Sequence, residues 1–349
     1  MQANKKIDIS QIKVIQAPLA GISDVVFRGL VRKYQSKCLM TTEMISSEML
    51  CNNPNPRIIQ FEDFEYPLAF QLVGHKIDKM TNAAKIIAPF ASMIDINCGC
   101  PVKKVVVSGD GSAMMKTPEL ACEIVQSIKE ATKLPVSAKF RLGWTHDEEN
   151  FIEFGKALEK AGVCFVTLHA RTRSQMYSGN ANWNKIKLLK QELSIPVFAN
   201  GDIKTIEDAK NCLELTKCDG ISIGRGIMGD FSLPYRIEKY IEKGIVIPEP
   251  NLTQRIEMLK EHLKLEVQHM GEKNGIKFMR KFYNYYIAST RNASKYRSAL
   301  VTLDKEEEIL KILDEILSLH TENNWWYAIL RHCKRCFEKI WKSYIRSWR

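Results

Sequence analysis

The segment Asp95-Ile-Asn-Cys-Gly-Cys-Pro101 places a carboxamide, Asn97, and a thiol, Cys100, at the exit of an apolar run, and a basic, glycine-bearing loop follows through Lys103 and Lys104. A cysteine with an ordinary pKa of about 8.5 is mostly protonated at neutral pH, so a thiol here can donate a proton as well as act as a nucleophile. Lys139 and Arg141, two residues apart in Ala138-Lys-Phe-Arg141, share one side of a strand. Alone, Lys139 reads first as a lysine reaching solvent, and otherwise as charge that stabilises an anionic cofactor or an enolate-like intermediate. His169 is equally a satisfied structural histidine or the holder of a cofactor ring or phosphate. Gln71 and Asn97 each offer a donor and an acceptor, which suits the edges of a flavin or pyrimidine ring as well as the capping of a strand end. The turns Asn200-Gly-Asp202 and Gly224-Arg225-Gly226 carry glycine N–H groups and an arginine, as a phosphate dianion requires, although either alone also reads as an ordinary tight turn.

These residues stand at the ends of short apolar runs: Val14–Ala17, Cys38–Thr42, Leu68–Leu72, Met93–Asn97, Val136–Phe140, Cys164–Leu168, Val197–Ala199 and Gly220–Ile223. Each is closed by Gly, Pro, Asn or a charge, as parallel strands buried on both faces are. Amphipathic stretches lie between them, such as Pro118–Ala131 with Leu120, Ile124 and Ile128 on one face, and Asn150–Ala161 with Phe151, Phe154 and Leu158. Eight such units predict an α/β fold, a TIM (β/α)8 barrel, with an open doubly wound sheet as the alternative. In a barrel, chemistry collects at the C-terminal strand ends, where Pro18-Leu-Ala-Gly21, Glu43, Gln71, Asn97 with Cys100, Lys139 with Arg141, and His169 with Arg171 would form one polar rim. After Gly244 the composition shifts to helix formers: Thr253 could cap a helix carrying Ile256, Leu259, Leu263 and Val267, and Asp304 could open one carrying Ile309, Leu313, Ile316 and Leu317. The expected organisation is a catalytic barrel over 1–245, an all-α helical domain over 246–320, and a basic aromatic C-terminal tail over 321–349.

Length, 349 residues, leaves room for a barrel and a smaller domain. No apolar run approaches the roughly 18 residues of a membrane span, and Met1-Gln-Ala-Asn-Lys-Lys-Ile-Asp8 lacks the apolar stretch of a signal peptide, so the cytoplasm is expected. Ten irregularly spaced cysteines read as reduced thiols rather than a disulfide framework. Cys333-Lys-Arg-Cys336 could be half of a zinc site or a redox pair, but no second such pair accompanies it, and no metal is expected. The net charge of +11 is concentrated in Lys277–Leu303, with six Lys/Arg and no acid, and in the tail, where Trp326, Leu330, Cys333, Phe337, Ile340, Tyr344 and Trp348 recur at helical spacing. A polyanionic partner fits that distribution, while membrane-surface binding or packing on the helical domain are alternatives for the tail.

Together these stretches resemble the tRNA-dihydrouridine synthases, nearest the bacterial DusB-like branch. The resemblance rests on Ala17-Pro-Leu-Ala-Gly-Ile-Ser-Asp-Val-Val-Phe-Arg28, Gln71-Leu-Val-Gly74, Asp95 to Lys104, Gly111-Ser-Ala-Met-Met115, Lys139-Phe-Arg-Leu-Gly-Trp144, His169 to Gly179, Asn200-Gly-Asp202 and Gly224-Arg225. It runs from about residue 13 to about residue 319, and the tail lies beyond it. It implies an FMN-binding barrel, NADPH or NADH as electron donor, tRNA as substrate and a helical domain that helps hold the tRNA; a monomer is expected. By position it implies Pro18, Leu19, Ala20, Gln71, Lys139, His169, Asn200, Gly201, Asp202, Gly224 and Arg225 as the FMN set. It implies Cys100 as proton donor and leaves Cys98 as a packing thiol.

Hydride added at C6 of uracil leaves an enolate-like anion that must be protonated at C5; reduced FMN would give the hydride and Cys100 the proton. Lys139 would stabilise the anionic reduced flavin, and Asn97 and Arg141 would orient the base. Phosphates would fall to Lys103, Lys104, Arg171 and Arg173 near the mouth and to Lys277, Arg280, Lys281, Arg291, Lys295 and Arg297, interleaved with Phe282, Tyr283, Tyr286 and Tyr296. The rivals are a dihydroorotate-dehydrogenase-like FMN barrel acting on a free metabolite, which gives no reason for a basic helical domain, and a non-catalytic RNA-binding protein.

Overall fold

The structure, a computed structural model, describes residues 7–53 and 56–322. The tail stripe and the pair Cys333/Cys336 lie outside the described residues. The chain falls into two compact units that meet in sequence between Glu249 and Pro250.

The first unit is a parallel sheet of β1 (Val14–Gln16), β2 (Met40–Thr41), β3 (Ile45–Ser46), β4 (Leu68–Val73), β5 (Met93–Cys98), β6 (Val136–Arg141), β7 (Val166–His169), β8 (Val197–Asn200) and β9 (Gly220–Ile223). Its order is β1-β9-β8-β7-β6-β5-β4-β2, with β3 also on β4. A parallel bridge between Ile15 and Leu39 joins the two ends, so the sheet closes as a barrel rather than lying open. β4, β5, β8 and β9 are buried at every residue, which is why they read as continuous apolar runs rather than alternating ones. Ile15, Leu39, Ala69, Met93, Phe165 and Phe198 form one apolar cluster with Ile12, on strand starts or just before them. That cluster plugs the end opposite the strand exits and leaves the exits to polar groups.

The expected second strand, Cys38–Thr42, is the short β2, and a further short piece, β3, follows it. Between them Glu43 turns its carboxylate onto the N–H groups of Gly21 and Ile22, tying this break to the turn after β1. The helix Pro118–Thr132 buries Ile124 and Ile128, and Phe151–Ala161 buries Phe151, Phe154 and Leu158. Gly162 ends the latter at φ +91°, a left-handed cap that a Cβ would strain.

The second unit is helical: Leu252–Met270, Glu272–Met279, Tyr283–Ile287, Ala293–Leu300 and Glu306–Glu322. Asn251, not Thr253, caps the first helix, in a reciprocal capping box with Gln254. Asp304 does not open the last helix; it precedes Glu306 and pairs with Arg280 at 2.7 Å. Ile256, Leu259, Leu263, Ile309, Leu313 and Ile316 are buried as their spacing predicts. Phe282, Tyr283, Tyr286 and Tyr296 are buried too, so the aromatics interleaved with the exposed cations form the core of the unit.

Candidate active site

The strand exits surround a cavity of about 340 Å³, within the roughly 300–1,000 Å³ range of small-molecule sites. Pro18, Leu19, Ala20, Gln71, Asn97, Cys100, Lys139, Arg141, His169, Asn200, Gly201, Asp202, Gly224 and Arg225 all line it. Met44, Tyr177, Lys204 and Ser222 line it as well, and sequence reasoning did not single them out. Tyr177 lay in plain view within the stretch His169 to Gly179; its ring stands 4.9 Å from the Arg225 guanidinium and 5.6 Å from that of Arg141.

Cys100 sits just past the end of β5. Burial raises its thiol pKa above the ordinary value, against smaller opposing effects from the Val102 backbone, Arg141 and Lys139, so the thiol is protonated at neutral pH. The Asn97 carboxamide oxygen accepts from the N–H groups of Gly99 (3.0 Å) and Cys100 (2.9 Å), which fixes the turn carrying the thiol. Cys98 is fully buried and does not line the cavity, and burial pushes its thiol pKa up; it is a packing residue. On β6, burial and then the neighbouring Arg141 bring the Lys139 ammonium down to about 8. His169 is held well below its usual value by burial and then by Lys139, Arg141, Arg171 and Arg225, so it is neutral at pH 7.

Arg141 is spent on loops: it donates to the carbonyls of Gly99 (2.8 Å), Thr172 (2.9 Å) and Met176 (2.8 Å). Arg171, expected on phosphates at the mouth, is 1 % exposed instead. Its guanidinium donates to both oxygens of Asp202 and to the carbonyls of Ser178 and Gly179. Burial alone would raise the Asp202 carboxyl, yet Arg171 and the Ala181 N–H hold it below the ordinary range. The pair therefore neutralises the Asp202 carboxylate at the edge of the cavity. Arg173 is half-buried, 4.5 Å from the centroid of the Trp144 ring, which Lys116 also covers at 3.9 Å. Lys103 and Lys104 are exposed at the start of the short helix after Val102, on the rim. Arg280, Lys281 and Arg291 belong to the helical unit: Arg280 is held by Asp304, Lys281 lies 3.4 Å from the centroid of the Phe278 ring, and Arg291 is exposed.

The turns after β8 and β9 bring glycine N–H groups, the Ser222 hydroxyl and Arg225 to the cavity. Gly201 (φ +124°) and Asp202 (φ +57°) both take conformations that side chains rarely adopt. Among the described residues, the N–H groups of Gly201 and Gly224 have no acceptor, and the Ser222 hydroxyl is buried without a partner. A Cβ at Gly226 would run into the Ile203 carbonyl oxygen, so the two turns approach too closely for a larger residue. Gly226→Ala is expected to separate them, lowering stability by about 1–3 kcal/mol and weakening anion binding; calorimetric melting alongside a phosphate titration reads both effects.

Comparison with known sequences matches the family model "Dihydrouridine synthase (Dus)" over residues 15–321. The chain belongs to the dihydrouridine synthase family. A dihydrouridine synthase reduces the C5–C6 double bond of uridine, so the protein is an oxidoreductase. It is 37% identical over 88% of its length to "Probable tRNA-dihydrouridine synthase 1" of Synechocystis sp., covering 86% of that protein. It is 34% identical to "tRNA-dihydrouridine synthase B" of Pasteurella multocida, covering 88% of this chain and 93% of that one. Among solved structures, a histamine dehydrogenase from Rhizobium sp. 4-9 shares the fold at 16% identity and a TM-score of 0.51, over 77% of this chain and 49% of that one. Among the described residues of this dihydrouridine synthase, no helix is long and apolar enough to cross a membrane and no cluster of His, Cys, Asp or Glu could hold a metal.

Proposed function

We propose that the protein reduces uridines of tRNA to 5,6-dihydrouridine, using FMN in the barrel and NADPH as the source of reducing equivalents, with the barrel as catalytic domain and the helical unit as a tRNA-holding domain. The observation that carries this reading is a protonated thiol, Cys100, fixed at the mouth of a cavity that also holds a phosphate cradle and a lysine. The donor set fits FMN: the free N–H groups of Gly201 and Gly224, the orphaned Ser222 hydroxyl and Arg225 suit its phosphate, and Gln71, Lys139 and His169 suit its ring. When bound, reduced FMN supplies hydride to C6 of the uracil.

The residues of the chain do the remainder. As C6 gains hydride, negative charge spreads over C5 and the C4 carbonyl, and Cys100 Sγ gives its proton to C5. The resulting thiolate, beside Lys139 and Arg141, is then reprotonated from solvent. Lys139 would hold positive charge in the cavity where the reduced ring would sit, and neutral His169 adds no competing cation. The uridine must leave its stack to reach the cavity, at about a few kcal/mol. Exposed Lys103, Lys104, Lys277, Lys281, Arg291, Lys295 and Arg297 offer the phosphate contacts that offset this.

The reading is tested by incubating the purified protein with NADPH and tRNA lacking dihydrouridine, then digesting the tRNA to nucleosides; FMN in the protein and dihydrouridine in the digest are expected, and neither would appear for a non-catalytic RNA binder. Proton linkage gives a second test. Lys139 is charged below pH about 8 and neutral above it, so affinity for the anionic cofactor is expected to fall as pH rises through about 8. Fluorescence titration with FMN against pH reads this limb, and Lys139→Arg, charged throughout, is expected to flatten it.

A further inference from the structure

A carboxylate inside a barrel needs a reason, because an ionised group taken from water is stabilised only by what bonds it. Asp95, in the middle of β5, is 5 % exposed. It stands in register with Gln71 on β4 and Ser137 on β6. One of its oxygens accepts from the Ser137 hydroxyl at 2.7 Å, the other from the Gln71 side-chain NH2 at 2.6 Å. The chain continues upward: the Gln71 carbonyl oxygen accepts from the Asn97 NH2 at 2.8 Å, and the Asn97 oxygen accepts from the Gly99 and Cys100 N–H groups at 3.0 and 2.9 Å.

Two links in this chain are amides, whose oxygen and NH2 ends have nearly the same shape and opposite hydrogen-bonding character. What fixes their direction is what stands at the ends. The backbone N–H groups of Gly99 and Cys100 can only donate, and both oxygens of Asp95 accept: burial raises its carboxyl pKa, while the Ser137 and Gln71 hydrogen bonds and the nearby Lys139 charge oppose that rise and favour the accepting carboxylate. Both ends demand the same polarity, so Gln71 must turn its NH2 to Asp95 and its oxygen to Asn97, and Asn97 must turn its oxygen to the Cys100 turn.

We infer that Asp95 is a positioning residue for Cys100: by accepting from Gln71 it orients the Gln71 and Asn97 amides, and through them holds the turn that aims the thiol. The inference rests on the reading of Cys100 as proton donor. An amide in place of Asp95 accepts or donates equally well, which frees Gln71 to turn over. Asn97 would then present its NH2 to two N–H donors, and the turn would lose both bonds.

The test is Asp95→Asn in the flavin-loaded protein, with kcat and KM for tRNA, the rate of flavin reduction by NADPH, and the rate of Cys100 alkylation by iodoacetamide followed by peptide mapping. The expected result is flavin content and NADPH reduction as in the wild type, KM within about twofold, kcat lower by about ten- to a hundredfold, and faster Cys100 alkylation. Adding Gln71→Glu to Asp95→Asn puts a group at position 71 that accepts on both sides, restoring the polarity seen by Asn97; because Gln71 also lines the cavity, this pair is read by Cys100 alkylation, whose slow wild-type rate is expected to return. Wild-type kcat in Asp95→Asn, a loss that follows flavin content, or fast alkylation that the second substitution leaves in place overturns the inference. Absence of dihydrouridine with the wild-type protein would instead fail the functional reading, while the alkylation rates, which need no turnover, still decide whether Asp95 positions the thiol.

Discussion

Cys100→Ala is expected to leave FMN bound and reducible by NADPH while lowering dihydrouridine formation by about 10²- to 10⁴-fold, the range for removal of a positioned general acid. The alanine removes one Sγ at the edge of the cavity and leaves the donors at its floor and in the phosphate cradle in place. The Asn97 bond to the Cys100 N–H involves backbone only and survives the change. Because burial keeps the thiol protonated, Cys100 meets the substrate as an acid at neutral pH; turnover is expected to fall as pH rises through the raised thiol pKa, and that limb should vanish in the variant. Single-turnover assays of the reduced protein, with thiol-free and wild-type samples at matched flavin content, separate loss of proton transfer from loss of cofactor. Turnover unchanged in Cys100→Ala would remove the proton-donor role altogether.

The second large effect is expected from the helical unit. Lys277, Lys281, Arg291, Lys295 and Arg297 are exposed in a stretch without acids, and among the described residues no carboxylate pairs with Lys277, Arg291 or Lys295. Replacing all five by Gln should weaken tRNA binding by about a hundredfold or more near 0.1 M salt and reduce the slope of log affinity against log salt by about one unit for each phosphate no longer neutralised. Arg280 is left out because it is tied to Asp304 and its removal would disturb the unit. The buried Phe282, Tyr283, Tyr286 and Tyr296 are untouched, so the melting temperature should hold. Filter binding across a salt series measures both quantities, and an unchanged slope would mean that another surface meets the RNA.

The barrel was legible because its strands are buried on both faces: runs such as Leu68–Leu72 and Met93–Asn97 have no polar alternation to confuse them with surface strands. The cavity was legible because strand exits in a barrel converge, so Gln71, Asn97, Lys139 and His169 could be grouped without knowing any distance. What each side chain does there was less visible. Arg171 follows His169 by two residues and reads as a second cation at the mouth, yet the two positive-φ residues Gly201 and Asp202 turn a carboxylate onto it from the neighbouring strand. Asp95 carries the same lesson, since its meaning depends on standing in register with Gln71 and Ser137, and register between strands is not written in one sequence. Composition does not say which face of a short helix is inward, so the aromatics interleaved with the basic residues of 277–303 could not be placed; the structure buries them.

The most direct measurement follows flavin absorbance without oxygen: the protein is reduced with NADPH, then mixed with tRNA lacking dihydrouridine, with orotate as the comparison. Rapid reoxidation by tRNA and none by orotate is the predicted result. Reoxidation by orotate alone would move the chemistry to a free metabolite, and a protein carrying no flavin would contradict the account at its centre.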